Sequence, residues 1–201
     1  MEKETDRISE YYTHIEFSAQ KLDRVIKSMV EFSRNYHLDV QTAYFNFHDL
    51  VNEVLRELAF WPEARKITFK NTVPKESVIK SDSQRMKVVL HNLISNSVKY
   101  ADFSKPESYI HINLNKNGRW NTIEISDNGM GIEKTRQARI FEMYYRATDR
   151  SHGSGLGLFI VKEIILKLGG TIEVTSAFGS GSSFLIRIPD ERQNGNGQNL
   201  N

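Results

Sequence analysis

Residues 91–100 read HNLISNSVKY, within a segment whose apolar residues recur three and four positions apart. From about Ser83 this spacing predicts a helix with two different faces, because side chains three and four residues apart lie on one side of a helix. The first face is apolar or small, with Met86, Leu90, Leu93, Ile94 and Ser97. The second is polar without alternating charge, with Arg85, Asn92, Asn96 and Lys99.

The polar face of this helix has the chemistry of a surface for a small polar ligand. An ordinary solvated face more often carries pairs of Glu and Lys. The amide oxygen of Asn96 is the kind of ligand that Mg²⁺ prefers, and Lys99 offers a point charge to phosphates. The same asparagines also fit a half-exposed helix without any ligand, and this stretch alone leaves both interpretations open.

Composition indicates a globular chain with one main domain and an appendage. The 201 residues are 39% hydrophobic, which is enough to build a core. The formal net charge is only +2 and the basic residues are scattered, so we expect no nucleic-acid partner. No apolar run reaches the length of a membrane span, so we expect no membrane contact in this stretch. The absence of cysteine excludes disulfides and fits a cytoplasmic location.

The segment from Thr5 to about Asn35 predicts a long amphipathic helix. Its apolar and small residues recur at alternating intervals of four and three: Ile8, Tyr12, Ile15, Ala19, Leu22, Ile26, Met29 and Ser33. One helix cannot bury such a seam alone, so we expect a partner helix from a second copy or from a missing segment. His14 on this helix is interpreted as a surface or packing residue.

The remaining chain predicts an α+β fold, a two-layer sandwich with three helices on one face of a mixed sheet. Besides the helix that contains Asn96, we expect one helix with an apolar stripe beginning at Phe47 and another at Gly155–Leu168. Ser81 and Gln84 have the spacing of a capping box at the start of the Asn96 helix. Strands are expected at 67–71, 77–80, 109–115, 120–126, 171–176 and 183–188, and the connector from Leu38 to Phe47 leaves room for a further short strand. We divide the chain into a bundle helix (1–38), a main domain (39–190) and a disordered tail (191–201).

Two glycine-rich segments add binding chemistry. Asp127, in DNGMGI, leaves a predicted strand directly into Gly129 and Gly131. A carboxylate there could accept a hydrogen bond from an exocyclic amine such as that of adenine. Downstream, HGSGLGL (152–158) opens a helix, so unpaired backbone N–H groups face any anion, and phosphate is the natural guest.

Together with the Asn96 helix, these segments resemble the N, G1 and G2 boxes of the superfamily of gyrase, heat-shock chaperone, histidine kinase and mismatch-repair ATPases. The resemblance is closest to sensor histidine kinases and runs from Phe45 to about Asp190. IFEMYYRA (140–147) resembles their F box, and GSGSSFLIRIP (179–189) resembles their closing strands. SAQKLDRVIKSMVEFSR (18–34) is similar to the second helix of their dimerisation and histidine-phosphotransfer hairpin.

This resemblance implies a Bergerat-type ATP-binding fold with ATP and Mg²⁺ as cofactors. Asn96 would bind Mg²⁺, Asn92 would order the metal and phosphates, and Lys99 would contact the phosphates. Asp127 would read the adenine amine, Gly129 and Gly131 would make room for the base, and Tyr100 would stack on it. A mobile lid would run from about Glu133 to His152. The other nucleotide-binding residues implied are Phe141, Arg146, Gly153, Gly155, Leu156, Gly157 and Ser182.

Two departures from the superfamily pattern refine the predicted function. Superfamily members that hydrolyse ATP place a glutamate four residues before the metal-binding asparagine, and here that position is Asn92, which favours phosphoryl transfer over hydrolysis. The acceptor motif of the kinases, a histidine followed by an acidic residue, is not matched around His14. We therefore expect a donor domain that lacks its acceptor, with a response regulator receiver domain and a homodimer mate as partners. A nucleotide-binding interaction module, a related ATPase and a serine kinase are the alternatives.

Overall fold

The computed structural model describes residues 38–146 and 154–190, together with separate positions between Tyr11 and Val30. Those separate positions are all helical, as predicted, and the apolar side chains among them are exposed. Ile8, His14 and Ser33 lie outside the described residues. The partner helix for the seam and the boundary at residue 38 stay predictions. No described helix is long and apolar enough to cross a membrane.

The described chain from residue 38 alternates strands and helices. The helices are α1 (Phe47–Leu58), α2 (Ser83–Lys99), α3 (Lys134–Gln137) and α4 (Gly157–Lys167). The strands are β1 (Ala43–Asn46), β2 (Ile67–Asn71), β3 (Val78–Ser81), β4 (Ser108–Asn117), β5 (Trp120–Asp127), β6 (Thr171–Ala177) and β7 (Gly181–Pro189). Every predicted strand and helix in this part of the chain is present, within a few residues at each end. The one-turn helix α3 is additional.

Five strands form one mixed sheet in the order β2-β4-β5-β7-β6. β2 runs parallel to β4, and the other neighbours are antiparallel. β1 and β3 form a separate antiparallel pair. Side chains on one face of the large sheet are buried, because alternate positions of each strand point to the same side. They join residues of α1, α2 and α4 in a single apolar core, which confirms the predicted two-layer sandwich.

The first helix of this domain, α1, has both of the signals that define its ends. The side chain of Asn46 accepts a hydrogen bond from the amide of Asp49, so it caps the N-terminus. Trp61 and Pro62 follow the C-terminus, where proline cannot continue a helix. The buried stripe between them is Phe47, Leu50, Val51, Val54 and Leu58.

The start of α2 differs from the prediction in two respects. The N-cap is Asp82, whose side chain accepts from the amide of Arg85, and Ser81 belongs to β3. Arg85 was expected on the ligand face, but its side chain is buried in an ion pair with Asp82. Its guanidinium also donates to the carbonyls of Leu38 and Asp39, which anchors the segment before β1. These contacts come from residues more than forty positions away in sequence, so helical spacing could not predict them.

Candidate active site

Asp127 is the last residue of β5 and is held from two sides. In the sheet register it lies opposite Ile110 of β4 and Ser182 of β7. The amide of Gly129 donates to its Oδ1 atom over 2.9 Å, and the hydroxyl of Ser97 donates to Oδ2 over 3.0 Å. Ser97 belongs to α2, so this bond joins the predicted adenine reader to the predicted metal-binding helix.

The environment of the Asp127 carboxyl opposes its ionisation. Burial raises its pKa above the ordinary value, because a buried carboxylate loses its hydration. The hydrogen bonds from Gly129 and Ser97, a backbone bond from Ser182 and the charge of Lys105 act in the opposite direction but do not cancel the burial. A hydrogen bond donated by a ligand would stabilise the ionised form of this partly buried carboxylate, because it replaces hydration lost on burial.

The loop after Asp127 packs against the end of α2, and its glycines are needed for that packing. A Cβ atom on Gly129 would collide with the carbonyl oxygen of Tyr100. Gly131 has a φ of +67°, and a Cβ atom there would collide with the carbonyl of Ala177. The amide of Met130 donates to the Tyr100 carbonyl over 2.9 Å. The two glycines therefore admit neighbouring backbone, a reason that the sequence does not reveal.

Asn92 and Asn96 lie one turn apart on α2, and both are half-buried. The side-chain nitrogen of Asn92 donates to the carbonyl of Val88 over 2.9 Å, which fixes the orientation of its amide. None of the residues that the structure describes hydrogen-bonds to the side chain of Asn96. Its amide is thus available to a ligand, beside the Ser97 hydroxyl that holds Asp127.

The N-terminus of α4 completes the arrangement. Its N-cap residue is Leu156, which supplies no side-chain cap to the first amides of the helix. A Cβ atom on Gly157 would lie 2.7 Å from the Oδ1 atom of Asn92, so the end of α4 is directly against the polar face of α2. A helix N-terminus favours anions, because its N–H groups and its dipole both present positive charge.

Residues 81–192 match the model of the histidine kinase-, DNA gyrase B- and HSP90-like ATPases. The chain belongs to this family. The autoinducer 2 sensor kinase/phosphatase LuxQ of Vibrio vulnificus is 32% identical over 189 residues, covering 87% of this chain and 22% of LuxQ. The chain therefore spans about a fifth of the length of that relative.

Solved structures of histidine kinases have the same fold. A mycobacterial sensor histidine kinase, MprB, is 25% identical with a TM-score of 0.62, covering 74% of this chain and 97% of that chain. Full-length ShkA in complex with AMPPNP has a TM-score of 0.71 at 23% identity, covering 90% of this chain and 38% of that chain. The family match and the sensor-kinase relative confirm the predicted kind of domain, an ATP-binding catalytic domain of the histidine kinase type.

Other expected nucleotide-binding residues of this ATPase-family domain surround the same region. Phe141 packs edge-on against Phe184, with ring centroids 6.5 Å apart. Gly155, with a φ of +74°, accepts a hydrogen bond from the amide of Tyr144 through its carbonyl. Leu156 and Ser182 are buried, and the Ser182 hydroxyl bonds to that of Ser176.

Four other expected residues lie at the C-terminal end of α2, or at or beyond the edge of the described residues. Lys99 is exposed, and its ammonium lies 5.7 Å from the ring centroid of Trp61, so it would have to leave this ring to reach a phosphate. Tyr100 is half-buried at the end of α2, and its stacking role stays a prediction. Arg146 is half-buried at the edge of the described residues, and Gly153 lies outside them.

Three residues of the site were missed by the sequence analysis. Ser97 was assigned to the packing face of α2, yet it binds Asp127. Asn128 accepts from the amide of Tyr109 and donates to the carbonyl of Glu107, so it fastens the loop to β4. Lys105 donates to carbonyls of this loop from the connection between α2 and β4. Only Asn128, beside the first glycine, carried a sequence signal.

Proposed function

We propose that this domain binds Mg²⁺-ATP and donates the γ-phosphoryl group to a histidine on a helical hairpin, as part of a sensor histidine kinase. One observation carries the proposal. The α2 helix connects three binding chemistries: Ser97 holds the Asp127 carboxylate, Asn96 offers an amide that no described residue binds, and Asn92 abuts the N-terminus of α4. A base, a metal ion and a phosphate chain need these chemistries in this order.

Asp127 is the group that would select adenine. Its carboxylate accepts hydrogen bonds but donates none when ionised, so it suits the exocyclic amine of adenine and not the carbonyl of guanine. Ser97 and Gly129 hold the two carboxylate oxygens from different elements. The Asp127 side chain is therefore oriented before any nucleotide arrives, so it loses little conformational entropy on binding.

Asn96 is the residue that would contact the metal ion. The described residues contain no group of three or more acidic or histidine side chains that could hold a metal by themselves. Mg²⁺ readily completes its shell with phosphate oxygens and waters, so one amide oxygen fits this donor set. When bound, the ion would neutralise charge on the phosphates.

The N-terminus of α4 and Asn92 would receive the phosphates. The Asn92 side chain lies against Gly157, the first residue of α4, and the N-cap residue of this helix offers no side-chain acceptor. In the transfer the γ-phosphorus forms a bond to an imidazole nitrogen while its bond to the β–γ bridging oxygen breaks, and ADP leaves with that electron pair. Asn92 cannot remove a proton from water, so hydrolysis is disfavoured relative to transfer. The protein contributes chiefly positioning and charge stabilisation.

The proposed partners follow from the resemblance to sensor kinases. The first helix would pair with the other helix of a dimerisation hairpin, and the apolar positions described between Tyr11 and Val30 are exposed as this requires. The phosphorylated hairpin would pass its phosphoryl group to a response regulator receiver domain. We place this part of the protein in the cytoplasm, without nucleic-acid or membrane contact.

The test is titration with a fluorescent ATP analogue in the presence of Mg²⁺. We expect Asn96→Ala and Asp127→Ala each to weaken binding by about tenfold or more, because each removes a polar contact made to a charged ligand. Asn115→Ala, an exposed amide on β4, is the matched control and should bind normally. Unchanged affinity in both site variants would refute the assignment. Transfer itself is read by adding a separate hairpin that carries an acceptor histidine and following label from γ-labelled ATP.

A further inference from the structure

Lys105 connects the loop that follows Asp127 with the turn between β6 and β7. It lies half-buried between α2 and β4. Its ammonium donates to the carbonyls of Asn128, of Gly129 over 3.2 Å and of Gly179 over 2.8 Å. An ammonium has three N–H donors, and this one directs all three to main-chain oxygens.

The three carbonyls belong to the two segments that flank Asp127. Asn128 and Gly129 follow it directly, and the Gly129 amide is one of its hydrogen-bond donors. Gly179 is in the turn between β6 and β7, and its amide donates to the carbonyl of Met130 over 2.6 Å. Three carbonyl oxygens that converge on one point repel one another unless a cation lies between them. The shape of the loop therefore depends on the charge as well as on the length of Lys105.

We propose that Lys105 is a positioning residue for base recognition, which holds the glycine loop in the shape that orients Asp127 toward the nucleotide base. This inference rests on the proposed function of Asp127. Lys105 acts through the Gly129 backbone, whose amide binds Oδ1, and not by direct contact with the nucleotide.

The charge of Lys105 has a second effect on the same carboxylate. Burial raises the pKa of Asp127, whereas Lys105 is the charged group that lowers it. The other groups that face the carboxylate are the Ser97 hydroxyl from α2 and the backbone amides of Gly129 and Ser182, which do not titrate in this range. Loss of Lys105 should thus raise the pKa of Asp127 further and move the acidic limb of ATP binding to higher pH.

A direct role of Lys105 in phosphate binding makes a different prediction. A lysine on the phosphates would serve ATP and GTP equally, because the two nucleotides share the triphosphate. A lysine that positions Asp127 would matter for adenine, since adenine carries an amine on the ring carbon where guanine carries a carbonyl that a carboxylate cannot bind. The ratio of the two affinities therefore separates the two roles.

The experiment measures binding of fluorescent ATP and GTP analogues by the wild type, Lys105→Met and Lys105→Gln across acidic to neutral pH. We expect ATP affinity to fall about tenfold and GTP affinity to change little, so that selectivity shrinks by the same factor. The acidic limb for ATP should shift upward. Lys116→Met is the matched control, because Lys116 also donates to a main-chain carbonyl, that of Val78, and it should keep wild-type selectivity. Thermal melting of each variant without nucleotide reports whether the fold is intact.

The outcomes separate this inference from the proposed function. A wild type that prefers ATP, together with Lys105 variants that keep this preference, overturns the role of Lys105 alone. Equal losses for ATP and GTP overturn it as well and assign Lys105 to the phosphates. A wild type without any preference for ATP would overturn the adenine-reading role of Asp127 together with the role of Lys105. In an Asp127→Asn background, the Lys105 substitutions should have no further effect on selectivity, as expected for two residues acting in one unit.

Discussion

The side-chain oxygen of Asn92 lies 2.7 Å from the point where a Cβ atom on Gly157 would stand. This relationship joins α2 to the first residue of α4, and it leaves no room for any side chain at position 157. Asn92 can move aside only by breaking the hydrogen bond between its nitrogen and the Val88 carbonyl. The absence of a side chain at Gly157 thus preserves the orientation of the Asn92 amide.

Gly157→Ala should weaken nucleotide binding and leave the stability of the fold nearly unchanged. The new methyl group would push the Asn92 amide out of place, so we expect nucleotide affinity to fall about tenfold. The fold should tolerate the change, because the displaced group is the end of a side chain and alanine favours a helix over glycine by up to about 1 kcal/mol. Thermal melting and titration with a fluorescent ATP analogue measure the two effects.

An Asn92→Ala background supplies the control for this prediction. Once the amide is removed, Gly157→Ala has nothing to displace and should cause no additional loss of affinity. Additive losses in the double variant would mean that residue 157 affects nucleotide binding independently of Asn92.

Asp127→Asn should change the pH dependence of stability without nucleotide. The folded-state pKa of Asp127 is raised, so its contribution to stability is present below the ordinary value and is lost as pH rises through the folded pKa. The variant lacks this loss. Near neutral pH it should therefore be at least as stable as the wild type in urea unfolding, while it gains less stability from added Mg²⁺-ATP. Glu76→Gln, an exposed carboxyl in the turn between β2 and β3, should reproduce neither effect.

Two basic residues of α2 should differ sharply in their contribution to stability. Arg85 and Asp82 form an ion pair whose side chains are 5% and 4% exposed, whereas Lys87 pairs with Glu53 and Glu57 at the surface. Arg85→Met leaves a buried carboxylate without its partner and should cost about 3–5 kcal/mol of unfolding free energy. Lys87→Met should cost less than about 1 kcal/mol. Denaturant unfolding of both variants checks this, and similar costs would contradict the role assigned to the buried pair.

The pH dependence offers a second check on the buried pair. Burial raises the pKa of Asp82, but hydrogen bonds from the amides of Arg85 and Gln41 and from the Arg85 side chain outweigh it, and the net pKa is lowered. The stabilisation from Asp82 is therefore present above its ordinary pKa and is lost as pH falls through the folded value. Arg85→Met should remove part of this acid sensitivity.

Local spacing predicted the elements of this fold because each carries its own signal. The alternation of Ile110, Ile112 and Leu114 identified β4, and the positions of Asn92 and Asn96 on α2 followed from the helical period. Arg85 was wrongly placed on the ligand face because the helical period does not reveal contacts with other segments. The carbonyls of Leu38 and Asp39 that accept from its guanidinium come from the segment before β1.

Contacts between distant loops were beyond what the sequence could reveal. Lys105 and Gly179 are 74 positions apart, and neither lies in a periodic element that would indicate where the other is. The glycines of DNGMGI were predicted to admit a ligand, yet the structure gives Gly129 and Gly131 closer reasons in the carbonyls of Tyr100 and Ala177. Packing against neighbouring backbone thus accounts for these two glycines, and their role beside a base stays a prediction.

The lid should respond to nucleotide in its second part more than in its first. Ile140 is only 5% exposed and Phe141 packs on Phe184, so the first part is anchored to the core. Tyr144 has a φ of +62°, a strained conformation that costs about 1–3 kcal/mol for a residue other than glycine. We expect Mg²⁺-ATP to slow amide hydrogen exchange at 142–146 and 154–157 more than at 132–141. Equal exchange with and without nucleotide throughout 132–157 would argue against a lid.

The last prediction is that this chain binds ATP but does not phosphorylate itself stably on histidine. A phosphohistidine requires an imidazole nitrogen in line with the γ-phosphate and an acidic neighbour to orient it. His91 adjoins Asn92 in sequence, but successive residues of a helix point about 100° apart, so His91 does not share the Asn92 face. His14 lies outside the described residues and lacks the acceptor pattern.

Incubation with γ-labelled ATP, followed by acid and base treatment, tests this directly. Phosphohistidine is labile in acid and stable in base, so such a label on the chain alone would contradict the prediction. If the label were lost in His14→Gln but kept in His91→Gln, the first helix would itself be the acceptor. We expect instead that label appears only on an added hairpin with an acceptor histidine, and that Asp127→Ala abolishes it. That result would make the domain a donor acting in trans, because the missing component would be the acceptor and not the nucleotide site.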